Sequence, residues 1–93
     1  MDANDWLRQL QAMITHNIAT RFGDSLEAAA KQVKARVMVV ASAQDHMVNP
    51  TTALELARAL QAEVVELNGD CGHLEPGCDE AVAAPKVRDF LAN

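Results

Sequence analysis

"RVMVVASAQDHMVNPTTALELARALQAEVVEL", residues 36–67, decides the fold. Arg36 to Ser42 is a short, apolar, β-branched run without alternation, the pattern of a strand buried on both faces, as in a parallel sheet. "AQDHMVNP" then reads as a polar loop. Asn49 as cap and Pro50 in the first turn open a helix through Leu60, with Ala53, Leu54, Leu56, Ala57 and Leu60 along its apolar side. "EVVEL", residues 63–67, reads as a second strand. A strand–helix–strand unit this compact implies a right-handed crossover and a parallel pair.

Working outward, Trp6, Leu7, Leu10, Met13, Ile14, Ile18 and Phe22 recur at helical spacing, and Gly23 is a natural stop, so an amphipathic helix is expected over 4–22. Asp24 can cap a second helix in "DSLEAAAKQV", with Glu27 three positions on as its reciprocal partner. Downstream, "NGDCGHLEPGC" (68–78) reads as the loop after the second strand. A last helix over roughly 82–92 carries Val87, Phe90 and Leu91, with Pro85 tolerable only near its first turn. The expected fold class is α/β: one domain spanning 1–93, a minimal parallel β-α-β unit flanked by helices. Two parallel strands alone leave both sheet edges with unpaired backbone groups. Either the edge at 36–42 pairs with a second copy, giving a homo-oligomer, or the sheet belongs to something larger.

The 93 residues carry a net charge of −5 and no stripe of Lys or Arg, which argues against nucleic acid or an anionic membrane surface as partner. No apolar stretch reaches bilayer-spanning length, and the acidic, polar "MDANDWLRQL" does not read as a signal peptide. Two cysteines are too few for a disulfide framework and predict reduced thiols in a cytoplasm.

In open parallel sheets, ligands bind beyond the carboxyl ends of the strands. Asp45 on the first loop and His73 on the second would sit there on neighbouring strand ends. A carboxylate beside an imidazole fixes its tautomer and stabilises the imidazolium formed in acid–base catalysis. The plainer alternative has Asp45 capping a turn and His73 as an ordinary loop residue. His46 is expected to point away from Asp45, and His16 to lie on the polar side of the first helix. Trp6, Met13 and Phe22 suit core or interface positions, and Glu55, Arg58, Arg88 and Asp89 a solvated helix surface.

Three other patterns compete for the same residues. "GDSL" (23–26) with "DCGH" (70–73) imitates the GDSL hydrolases, with Ser25 as nucleophile, His73 as base and Asp70 as acid. A helical rather than strand-like run precedes that serine, and a capping box accounts for the same letters. Cys71, His73 and Cys78 offer three metal ligands, with Asp70 or His16 as a fourth, but lack the paired spacing of structural zinc sites. A Cys71–Cys78 disulfide is geometrically possible but disfavoured in a cytoplasm, and Cys71 as a nucleophile lacks an oxyanion hole. No cofactor and no metal is expected.

"VKARVMVVASAQDHMVNPTTALELARALQAEVVELNGDCGHLEPG" resembles the C-terminal part of α/β-hydrolase-fold enzymes. In that family a strand leads to the loop of the triad acid, then a helix, a strand, and a Gly-His pair bearing the base. Asp45 matches the acid, and His73, preceded by Gly72, the histidine. "MDANDWLRQLQAMITHNIA" looks like the segment joining lid helices to the core in homoserine O-acetyltransferases, making 1–23 a lid-connecting region and 24–93 a core portion. The resemblance implies an acyltransferase or hydrolase in which a serine takes an acyl group from a donor such as acetyl-CoA or an ester. It then passes that group to an alcohol or to water. The family's G-x-S-x-G elbow is absent from these residues, so the acid and base stand without their nucleophile, and the chain alone is expected to be inactive.

Overall fold

A computed structural model describes residues 2–93; Met1, part of the expected 1–23 region, lies outside the described residues. The element order is α1 (Ala3–Thr15), a 3-10 turn (Thr20–Phe22), α2 (Leu26–Ala30), β1 (Met38–Ser42) and α3 (Thr51–Leu60). There follow β2 (Glu63–Leu67), a second 3-10 turn (Gly72–Leu74), α4 (Glu75–Cys78) and α5 (Glu80–Ala92). The strands pair in parallel, Met38 opposite Glu63 and Ser42 opposite Leu67, as the mixed α/β pattern predicts. Beyond the strand end, the Ala43 N–H donates to the Leu67 carbonyl at 2.8 Å, so the ladder runs on toward the Asp45 loop.

Helices pack on both faces of the small sheet, although Val64 stays exposed on one of them. Val65, Leu67 and Ala83 of α5 are buried together, with Met38 and Val40 packed against them. These residues share one face because side chains alternate along a strand and the register puts Val40 beside Val65. On the other side Ala41 and Ala57 of α3 are buried. Small residues there let the crossover helix approach the strands closely. No strand pairs with either outer edge among the described residues.

Several expectations are corrected. The helix expected over 4–22 ends at Thr15, because the Asn17 side chain captures the Ala19 N–H at 2.9 Å and folds the chain into a turn. No residue of α1 is buried: Trp6, Leu7, Leu10, Met13 and Ile14 are each more than half exposed. The cap of α2 is Ser25, not Asp24. Asp24 follows Gly23 in the left-handed region (φ 60°), and the Ser25 hydroxyl accepts the Ala28 N–H at 3.1 Å. Asn49 precedes the cap position of α3, where its side chain accepts the Thr51 N–H at 2.9 Å. Pro85 lies inside α5, which continues past it to Ala92. The expected loop 68–78 contains the second 3-10 turn and α4.

Candidate functional site

Asp45 follows the carboxyl end of β1 and His73 follows that of β2, so the parallel register delivers both to one rim of the sheet. His73 Nδ1 lies 2.8 Å from Asp45 Oδ2. An ionised carboxylate only accepts hydrogen bonds, so Nδ1 is the donor in this contact and Nε2 points away from Asp45.

Asp45 is held as well as holding. Its Oδ1 accepts the N–H groups of Met47 (3.0 Å) and Val48 (2.9 Å), which fold the loop around the carboxylate. Those bonds, the one from Val48 first and then the imidazole's, pull its pKa below the ordinary aspartate value. The Asp45 side chain is 12% exposed and that of His73 49%. The acid is therefore fixed in the wall while the base faces open space. The two line a shallow cleft of about 250 Å³ with Ser42, Thr52 and Pro76.

Comparison with protein-family models, curated protein sequences and solved structures returns no match.

Gly72 precedes the histidine with φ 62°, a left-handed conformation in which a Cβ would be strained, and this turns the chain into the 3-10 turn bearing His73. Cys71 and Cys78 form a disulfide, correcting the expectation of free thiols. The 3-10 turn and α4 fold the segment between them back on itself, leaving the two Cα atoms 6.5 Å apart across a sequence separation of 7. In that state neither sulfur offers a thiolate to a metal or a substrate. Among the described residues no group of three or more His, Cys, Asp or Glu is placed to hold a metal ion.

The rival assignments separate on geometry. The carboxylate on His73 is that of Asp45, not of neighbouring Asp70. Ser25 is engaged as a helix cap, with its hydroxyl 3.5 Å from Glu27. His46 and His16 are exposed.

Glu75 is the residue that the sequence did not single out. It is 1% exposed, and its Oε2 accepts the Cys71 N–H at 2.7 Å. A hydrogen bond with the Asp79 carboxyl raises its pKa, and burial and the charge of Asp70 add to this while the Cys71 N–H opposes it. Flanked by Asp70, Asp79 and Glu80, it looks in sequence like one more solvated carboxylate.

Proposed function

We propose that the chain carries the acid–base half of an acyl-transferring triad of the α/β-hydrolase type. It would correspond to the C-terminal portion of a homoserine O-acetyltransferase-like enzyme whose serine comes from outside these 93 residues. The observation that carries this reading is the Asp45–His73 pair on adjacent parallel strand ends. In the complete site, His73 Nε2 takes the proton of a hydroxyl nucleophile as it attacks the acyl donor, then returns it to the leaving group. Asp45 stays ionised throughout and stabilises the imidazolium, a role suited to its lowered pKa. The donor, acetyl-CoA or an ester, and the acceptor, an alcohol or water, belong to that complete site.

A second, compatible reading is self-association. The unpaired β1 edge and the exposed apolar stripe of α1 both favour it.

Hydrolysis of p-nitrophenyl acetate tests the first reading. The purified chain is expected to release p-nitrophenol without a burst and no faster than its histidines do as free imidazoles. A burst stoichiometric with the chain, followed by turnover that His73→Ala abolishes, would show that the nucleophile is present. Labelling of Ser25 by a fluorophosphonate would turn the case toward a complete small esterase.

A further inference from the structure

Leu67 and Glu75 are the largest fully buried side chains among the described residues. A buried leucine in an α/β core needs no explanation, but a buried glutamate does. Enclosing a carboxyl group costs free energy unless its partners are in place, and an apolar side chain would fill the space more cheaply. The polar partners of Glu75 lie in the segment around His73. Its Oε2 bonds the Cys71 N–H, its other oxygen lies against Gly69, and Asp79 shares a hydrogen bond with it.

Gly69 is cut to fit this carboxyl group. A Cβ there would land on it, 2.6 Å from Cδ and 2.7 Å from Oε2, too close for any side chain without displacing Glu75. Cys71 is thus fixed at two points, its N–H by Glu75 and its sulfur by Cys78. His73 stands two residues further on, in a turn closed by the Leu74 N–H on the Cys71 carbonyl (3.3 Å) and the Glu75 N–H on the Gly72 carbonyl. The imidazole is half exposed, so packing does not hold it. Its direction comes from this backbone and from Asp45.

We infer that Glu75, seated against Gly69 and bonded to the Cys71 N–H, is a positioning residue that sets the backbone from which His73 reaches Asp45. The inference rests on the reading of His73 as the base of the proposed site, and it extends that site to a buried carboxyl group.

The test is a long-range ¹H–¹⁵N correlation spectrum of the oxidised, ¹⁵N-labelled chain above neutral pH. It reports which ring nitrogen of each histidine carries the proton, and needs neither nucleophile nor turnover. Failure of the ester assay therefore leaves it untouched. Wild type and Glu75→Gln, whose amide oxygen can still accept the Cys71 N–H, are expected to show His73 protonated on Nδ1. Glu75→Asp, one methylene short, and Gly69→Ala, which displaces the carboxyl group, are expected to lower the Nδ1-H to Nε2-H ratio by about tenfold, the loss of one charge-assisted hydrogen bond. His16 and His46 serve as internal controls and stay unchanged. An unaltered His73 signature in either displaced variant with the fold retained overturns the inference, as does a Glu75→Gln variant that behaves like them. Loss of the fold in both displaced variants also counts against it, because Glu75 would then support the domain rather than the histidine.

Discussion

Asp45 and His73 are 28 residues apart in the chain and 2.8 Å apart in space. The crossover helix between β1 and β2 creates that meeting, and the two backbone N–H groups on Asp45 Oδ1 aim the other oxygen at the ring. Asp45→Asn therefore has an outcome more specific than loss of charge. The amide oxygen can keep Met47 and Val48, which turns the NH₂ group toward Nδ1. That nitrogen must then accept, and the ring proton moves to Nε2. The histidine tautomer spectrum reads this directly, and an unchanged Nδ1-H signal would refute it. In a reconstituted triad the same substitution is expected to reduce turnover by about four orders of magnitude, since the nitrogen facing the nucleophile would be protonated.

Two carboxyl groups give opposite pH signatures. The pKa of Asp45 is lowered in the folded chain, so its stabilisation is complete above the ordinary value of 3.8 and is lost as pH falls through the lower folded value. The pKa of Glu75 is raised, so its contribution is complete below 4.5 and is lost as pH rises through the raised folded value. Thermal unfolding from acid to neutral pH should show the advantage of wild type over Asp45→Asn vanishing in acid. Glu75→Gln, permanently neutral, should gain on wild type as pH rises above 4.5. Parallel Tm curves for wild type and Glu75→Gln would contradict the second assignment.

What was legible in the sequence tracks how local the cause is. β2 matches the "EVVEL" run residue for residue, because a β-branched segment between turn residues has few alternatives. The Asp45–His73 pairing was legible because parallel topology sends every strand's carboxyl end to one rim. The length of α1 was not, since its apolar spacing continues through Phe22 while the Asn17 side chain ends the helix. The disulfide was not legible, since two cysteines at this spacing suit free thiols as well as a bridge, and only the folded turn of 71–78 brings their Cα atoms to 6.5 Å. The burial of Glu75 depends on a three-dimensional fit with Gly69 that no periodicity encodes.

The disulfide gives a redox prediction. A link closing a loop with a sequence separation of seven constrains the unfolded chain. The loop-entropy relation puts this at roughly 2.5 kcal/mol. Reduction, or Cys78→Ser, is expected to lower Tm by on the order of 10 °C. Thiol titration of the denatured, unreduced chain should find no free thiol. Two titratable thiols per chain before reduction would remove the disulfide from the account of the site.

The β1 edge sets the last prediction. The Glu63 N–H donates to the Val37 carbonyl and the Ala43 N–H to the Leu67 carbonyl. Odd-numbered residues of this stretch thus face β2, and parallel alternation turns the N–H groups of Met38, Val40 and Ser42 to the outer edge. Met38→Pro removes one outward donor at the start of the strand, where proline is best tolerated. If two copies join through this edge, wild type sediments as a dimer and Met38→Pro as a folded monomer. Leu10→Lys, on the exposed stripe of α1, separates the alternatives. A dimer that survives Met38→Pro but dissociates with Leu10→Lys assigns the contact to the helix, and a strictly monomeric wild type sinks both.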